Sequence, residues 1–249
     1  MIVHGELPPV QHAIFSDTGW EPQAVYKHLE VLKGECEDAG IPLHIVNNGN
    51  IREDALDVQH KFASMPLFVR KTDGTKAIMR RQCTNEYKIK PLMAKQREIA
   101  GLKPGQRCSE HRITTVIGIS WDETQRVKDA AFSWIKNEYP LIDARIRRVD
   151  CVNWNIEHGY PPPPRSSCIG CPFHSNEEWR QIRDNPDDWA DAVDFDNRLR
   201  TNPIAKRFMP STVYLHRNAQ PLEETDIRSE EERGQGNLFD MECEGMCGL

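Results

Sequence analysis

The chain lacks the features that would place it in a membrane, outside the cell or on a nucleic acid. None of its apolar runs is long enough to cross a bilayer, and its N-terminus has no signal-peptide pattern. The net charge of -6 gives no support to nucleic-acid binding through overall positive charge. There are no internal repeats and no low-complexity tract. We therefore expect a globular protein of the cytoplasm.

The length and composition predict one main domain with a small extension. The chain has 249 residues, of which 38% are hydrophobic and 28% are charged, as is typical of globular proteins. Residues 223–235 are charged and poor in apolar side chains. We therefore predict a domain over residues 1–220 and a flexible tail over 221–249. Two thiols, Cys243 and Cys247, lie near the end of this tail.

The chain contains eight cysteines, which we expect to be mostly reduced in the cytoplasm. Cys168 and Cys171 form a Cys-x-x-Cys turn, and four prolines at 161–164 stiffen its approach. Such a turn can direct both sulfurs at one metal ion or cluster. Two thiols cannot complete a four-ligand site, so further ligands are expected from elsewhere in the chain.

Two other cysteines are the strongest candidates for these ligands. Cys83 follows Arg80 and Arg81 and begins a predicted helix, where the positive helix end favours a reactive or ligating thiol over a structural one. Cys151 is close in sequence to the Cys-x-x-Cys turn. His174 is either a nitrogen ligand or a cap for the following turn. Four thiols suit structural zinc or an iron–sulfur cluster, and residue type alone does not distinguish them.

The first half of the chain predicts α/β units. A strand at residues 10–15 leads into Ser16-Asp-Thr-Gly19 and then a helix that ends near Gly40, and a second strand follows at 41–46. Asp17, Thr18 and Gly19 therefore lie at the carboxyl end of a strand, where α/β proteins bind ligands. Helix capping is the alternative, and local sequence favours it, since Asp and Thr are good N-caps.

Further elements follow the same pattern. Helices are predicted over 51–62 and from Cys83 to Ile99, and a strand over 114–119 precedes Arg126. Arg126 can bind a phosphate or sulfate, or it can pair with a neighbouring acid. A short helix is predicted from Val149, and two later helices carry three aromatic residues that we assign to the core: Trp179, Trp189 and Phe195.

Several segments, taken in order, resemble the phosphoadenylyl-sulfate (PAPS) reductase family of the adenine-nucleotide α-hydrolase-like superfamily, and most of all its phage and bacterial members. The matching segments are Phe15-Ser-Asp-Thr-Gly19, Arg81-Gln-Cys-Thr-x-x-Tyr-Lys-Ile-x-Pro91, Gly118-Ile-Ser-x-Asp-Glu-x-x-Arg126, Tyr139-Pro-Leu-Ile142, Cys168-Ile-Gly-Cys-Pro172 and Glu242-Cys243. Each is weak alone, but the ordered set is fairly specific.

The resemblance implies a doubly wound parallel sheet with helices on both faces, forming three layers, and a helical C-terminal part. It also implies an adenine-nucleotide or adenylylated sulfur substrate, bordered by Asp17, Thr18, Gly19 and Arg81 and bound through Arg126. In cluster-bearing members a cysteine pair at a helix start joins a later Cys-x-x-Cys to hold a [4Fe–4S] cluster. Here Cys83-Thr84 replaces that pair, and Cys151 is the candidate for the missing ligand.

The resemblance further implies that a tail cysteine, Cys243 or Cys247, attacks the sulfur and forms a thiosulfonate, which a thioredoxin-like dithiol then releases. The superfamily's phosphate loop and its preceding strand are expected before Val10, where this sequence has neither, so we expect a mis-assigned or truncated start. Two alternatives stay open: an ATP-dependent sulfur transferase that modifies nucleic acid, and a non-catalytic binding module held together by a metal such as zinc.

Overall fold

A computed structural model describes residues 1–57, 59, 65–71, 73–201 and 212–229. It is a mixed α/β structure in which helices pack on short parallel and antiparallel sheets. No helix in these ranges is long and apolar enough to cross a membrane. The predicted nucleophiles Cys243 and Cys247 lie outside the described residues.

The first α/β unit forms as the sequence predicts. Strand β1 (Ala13–Asp17) leads through a loop to α1 (Gln23–Asp38), and β2 (Leu43–Asn47) returns parallel to β1, with Ala13 opposite Leu43. Helix α1 ends because Gly40 takes a positive φ of 66°, and the N–H of Ile41 then bonds to the carbonyl of Cys36. The loop 18–22 therefore begins at the carboxyl end of β1 and leads into α1.

Among the described residues, the hydrogen-bonded strands are the parallel pair β1–β2, the antiparallel sheet β4–β3–β7 and the parallel pair β5–β6. The strands of the last two sheets are β3 (Phe68–Arg70), β4 (Lys76–Ile78), β5 (Ile113–Val116), β6 (Ile135–Glu138) and β7 (Thr212–Tyr214). A mixed α/β architecture is therefore present.

The predicted helices are largely present, with two irregular turns among them. Residue 83 opens a helical run whose first part, Thr84–Ile89, is a π-helical turn that continues into α3. The segment Trp121–Arg126 is a 3₁₀ turn instead of a regular helix. The helices of the fold after α1 are α2 (Ile51–Leu56), α3 (Lys90–Ile99), α4 (Pro140–Asp143), α5 (Arg148–Glu157), α6 (Asn176–Arg183) and α7 (Pro186–Thr201).

The main core lies where α6 and α7 meet the loop that follows β1. Trp179 and Phe195 are fully buried, as predicted, and the Phe195 ring lies 4.6 Å from that of Trp20. A second, smaller cluster forms around Leu102 and Trp134 and packs α3 against β5–β6. Helix α3 also contacts β1 and β2, so it joins the two parallel pairs.

Residues 221–229 differ from the predicted tail because they pack into the main core. Leu222 and Ile227 are buried, and the Ile227 carbonyl accepts a 2.7 Å hydrogen bond from Arg180. The buried carboxylate of Asp196 also accepts the N–H of Leu222 at 2.9 Å. The high charge of this stretch obscured its few apolar anchors.

Candidate functional site

The centre of the candidate site is the cysteine turn, residues 168–174. Cys168 is buried and Cys171 is partly buried. The N–H of Cys171 donates to the carbonyl of Cys168 at 3.0 Å, and the N–H of His174 donates to Cys171 in the same way at 3.1 Å. These bonds fold the segment tightly enough to hold both sulfurs on one turn, as the Cys-x-x-Cys spacing predicts.

The cysteine turn packs directly on the loop after β1. The thiol of Cys168 donates a hydrogen bond to Oγ1 of Thr18 at 3.2 Å, and the Ile169 N–H donates to the Trp20 carbonyl at 2.9 Å. A side chain on Gly170 would start 2.2 Å from the Trp20 ring, so only glycine allows this approach. The structure thus brings the predicted metal ligands to the predicted ligand-binding strand end.

A buried acid lies behind this contact. The hydroxyl of Thr18 donates to Oε1 of Glu21 at 3.0 Å, and Nζ of Lys88 lies 3.5 Å from the same oxygen. The Glu21 side chain is 0% exposed, and its other oxygen, Oε2, has no hydrogen-bond partner among the described residues. Burying a carboxylate oxygen without a donor is costly, so the bond from Thr18 and the charge of Lys88 matter for this acid.

The surroundings keep both thiols of the turn protonated. Burial raises the pKa of Cys168 well above its usual range, and the charge of Glu21 raises it further. Burial also raises the pKa of Cys171 to about 11, and the nearby thiol of Cys83 contributes to this rise. Metal binding requires thiolates, so a cation at this site would displace the thiol protons.

The third thiol and two arginines adjoin Cys171. Cys83 packs against the main core, and its charge contributes to the raised pKa of Cys171. Arg81 and Arg165 act in the opposite direction and lower the pKa of Cys171. The Arg81 guanidinium lies 5.3 Å from the centre of the Phe173 ring. Phe173 is two residues after Cys171. Arg81 therefore lies beside the cysteine turn.

His174 supports the turn through its backbone. It is buried, and its Nε2 lies 3.0 Å from the Cys168 carbonyl, an acceptor, so this nitrogen carries the proton. Burial favours a neutral Glu178, but the His174 ring beside it, the Ser175 N–H, which donates to it at 2.7 Å, and the Arg165 guanidinium outweigh burial and lower the pKa of Glu178 to about 2. The bond to the Cys168 carbonyl ties His174 back to the cysteine turn, whereas the following helix α6 is capped by Ser175.

The loop residues Asp17 and Gly19 correct the capping interpretation. Helix α1 begins at Gln23 after Pro22, and no side chain caps it. Instead, Oδ1 of Asp17 accepts the Gly19 N–H at 2.8 Å and the Tyr26 hydroxyl at 3.0 Å. The expectation of helix capping by Asp17 or Thr18 is therefore wrong, because no side chain caps α1 and Asp17 and Thr18 bond to other groups.

Two predicted site residues lie in other surroundings. Arg126 forms an ion pair with Glu123 at 2.8 Å, which matches the second of its two predicted roles. Cys151 lies on α5, where burial raises its pKa and the charges of Asp150 and Asp122 add to the rise. These neighbours differ from the groups that shift the pKa values of Cys168 and Cys171, which include Cys83 but not Cys151.

Glu21 and Lys88 are the site residues that the sequence analysis missed. Glu21 follows Gly19 by two positions, and Lys88 lies within the Arg81-to-Pro91 segment. Lys88 therefore fell inside a segment already singled out and Glu21 just after one, and an acid and a base at these positions were the available signal.

No family model, curated protein or solved structure matches the chain. Its function is therefore inferred from the residues that meet at the cysteine turn.

Proposed function

We propose that this protein is a PAPS reductase-like enzyme of sulfur metabolism. It binds an adenine nucleotide or an adenylylated sulfur compound beside the carboxyl end of β1 and carries a cysteine-ligated [4Fe–4S] cluster. The observation that carries the proposal is the contact between Cys168 and Thr18, because it joins the predicted metal ligands to the predicted substrate loop.

In this proposal three of the four cluster ligands come from the cysteine turn and from Cys83. Cys83, Cys168 and Cys171 supply thiols, and Arg81, Arg165 and Lys88 supply positive charge that offsets their thiolates. When bound, such a cluster would supply an iron centre with thiolate ligands next to the substrate. A fourth ligand from Cys151 stays a prediction.

The fold supports this proposal through its two parallel pairs. In the proposal β1–β2 and β5–β6 belong to one doubly wound sheet with helices on both faces, in three layers. Helix α3 contacts both pairs, and Gln96 on this helix donates to the Thr115 hydroxyl at 3.0 Å. The adenine nucleotide would lie beyond the carboxyl ends of these strands.

The residues of the chain then have distinct tasks. Asp17, Thr18 and Gly19 shape the loop that borders the nucleotide, and Arg81 binds the sulfate or phosphate. Arg126 can join it if the anion displaces Glu123. A tail thiolate, from Cys243 or Cys247, attacks the sulfur: an S–S bond forms, the S–O bond to the nucleotide breaks, and the nucleotide leaves with the electron pair. A thioredoxin-like dithiol then releases sulfite and is itself oxidised to a disulfide.

Anaerobic purification followed by an absorption spectrum and analysis of iron, acid-labile sulfide and zinc tests the cluster. We expect a brown protein that loses iron in Cys83→Ser, Cys168→Ser and Cys171→Ser but keeps it in the matched control Cys108→Ser. Unchanged iron in Cys151→Ser would remove that residue from the ligand set. A colourless protein with stoichiometric zinc would contradict the proposal and favour the metal-held binding module.

Sulfite release from PAPS with a dithiol reductant tests the reaction. We expect Cys243→Ser or Cys247→Ser to abolish turnover while iron is retained. Turnover that survives in the double variant would overturn the role of the tail thiols.

A further inference from the structure

A second cluster of metal-ligating side chains lies away from the cysteine turn. Among the described residues, only His4, Glu6 and His158 form a group of three or more His, Cys, Asp or Glu whose ligand atoms lie within 4.8 Å of one another. His4 and Glu6 come from the N-terminal turn, and His158 comes from the end of α5. The group thus joins two segments that are far apart in sequence.

Hydrogen bonds to neighbouring groups leave one nitrogen of each histidine with a free lone pair. Nδ1 of His158 lies 2.8 Å from the Trp154 carbonyl, which can only accept, so Nδ1 carries the proton. Nε2 of His158 is then unprotonated, and it lies 3.8 Å from Oε1 of Glu6. A histidine held by a backbone carbonyl in this way has the tautomer and orientation of a metal ligand.

His4 is held by an equivalent arrangement. The Tyr160 hydroxyl donates its only proton to Glu35 at 2.8 Å and lies 2.9 Å from Nε2 of His4. The hydroxyl can therefore only accept from His4, which assigns the proton to Nε2 and the lone pair to Nδ1. A carboxylate thus orients His4 through a phenol, much as carboxylates orient histidine ligands at zinc sites.

The third group, Glu6, is also oriented. Both of its carboxylate oxygens accept from the indole N–H of Trp154, at 2.9 and 2.8 Å. The Trp154 ring stacks on that of His158, with centroids 3.9 Å apart, and on that of Tyr160. One tryptophan therefore positions both the acid and a histidine.

We propose that His4, Glu6 and His158 bind a divalent first-row transition-metal ion, with Zn²⁺ as the reference ion. Two imidazoles and a carboxylate are a donor set that zinc and its neighbours prefer, and three protein ligands leave a fourth position for water. Ligand atoms around tetrahedral zinc lie about 3.4 Å apart, so these exposed side chains need to close in by roughly 1 Å. The bound ion fastens the N-terminal turn to α5.

The test uses Co²⁺ added to the full chain, followed by absorption spectroscopy, because thiolate ligands give intense charge-transfer bands that nitrogen and oxygen ligands do not. We expect one equivalent of Co²⁺ with nitrogen and oxygen ligands, displaced by Zn²⁺. His158→Ala and His4→Ala should lose this equivalent, and Glu6→Gln should weaken it. Tyr160→Phe, which removes only the group that orients His4, should reduce the affinity about tenfold.

His12 and His44 provide the matched control, since their ring nitrogens lie 3.2 Å apart at the surface without a carboxylate between them. His44→Ala should keep the full Co²⁺ equivalent. Unchanged Co²⁺ binding in His158→Ala, or an equal loss in His44→Ala, would overturn the proposal. Neither result depends on the cysteine turn, so this test of the His4, Glu6 and His158 site is independent of the test of the proposed cluster.

Discussion

The thiol of Cys168 donates a hydrogen bond to Oγ1 of Thr18 although the two residues lie 150 positions apart in the chain. The hydroxyl of Thr18 in turn donates a hydrogen bond to Glu21. Its orientation is therefore fixed by one bond that it accepts and one that it donates. This arrangement connects a candidate metal ligand with a buried acid through one hydroxyl. The hydroxyl is therefore the group whose removal affects both.

Replacing Thr18 with valine should destabilise the protein by roughly 1–3 kcal/mol, because valine keeps the shape but leaves the buried carboxylate of Glu21 short of a donor. Urea unfolding followed by circular dichroism measures the loss. Thr18→Ser keeps the hydroxyl and should retain most of the stability. Equal unfolding midpoints for the two variants would show that the hydroxyl contributes nothing.

Gly170→Ala should disrupt the contact between the cysteine turn and the loop after β1. The added methyl group would start 2.2 Å from the Trp20 ring, and the rings of Trp20 and Phe195 are packed too closely to give way freely. We expect a loss of roughly 1–3 kcal/mol, together with lower metal content in protein as purified.

Gly118→Ala is the control for this variant, since a methyl group at Gly118 meets nothing within 4 Å and the backbone there does not require glycine. It should leave stability unchanged or raise it slightly. If both alanine variants unfold at the same denaturant concentration, the close approach of Gly170 to Trp20 does not affect the stability of the protein.

The local elements of the fold could be predicted because their signals are local. The buried positions Val25 and Leu29 recur at helical spacing in α1, and the capping pair Ser175 and Glu178 begins α6. The loop Asp17 to Gly19 follows a β-strand in sequence, and it does so in the structure. Each of these features depends on neighbours within a few residues.

The arrangement of the sheets and the ligand set could not be predicted in the same way. Strand β7 pairs with β3, and both have three residues, too few for an alternating pattern to be recognised. Cys151 is close to Cys168 in sequence, but the intervening segment leaves it on α5 among acids of its own. The role of Glu21 arises only when Lys88 and Thr18 fold against it.

Glu178→Gln should change how the free energy of unfolding depends on pH. The pKa of Glu178 is lowered to about 2 in the folded protein, whereas an unfolded glutamate titrates near 4.3. Its ionised form therefore stabilises the fold above about pH 4.3, and this contribution is lost as the pH falls towards 2. The variant should be less stable at pH 7, by roughly 1–3 kcal/mol, and should lose less stability on acidification.

Unfolding midpoints measured between pH 7 and 2.5 test this expectation. Glu177→Gln is the matched control, because Glu177 lies exposed in the same first turn of α6. Parallel pH profiles for the wild type and Glu178→Gln would contradict the role assigned to the contacts from Ser175 and Arg165.

The metal-free protein should lose stability as the pH rises above about 8.5. Burial raises the pKa of Cys171 to about 11, whereas an unfolded cysteine titrates near 8.5. Between these values the unfolded chain releases the thiol proton and the folded chain keeps it, so the free energy of unfolding falls by up to about 1.4 kcal/mol per pH unit for such a thiol. Cys168 acts in the same direction, since its pKa is raised as well.

Urea unfolding of chelator-treated, reduced protein from pH 7.5 to 10 should therefore show a steep decline in the free energy of unfolding. Cys171→Ala should make this decline shallower, while Cys108→Ala controls for the loss of a thiol elsewhere. An identical decline in Cys171→Ala would mean that the turn does not hold this thiol protonated, and the proton release expected on metal binding would then have another source.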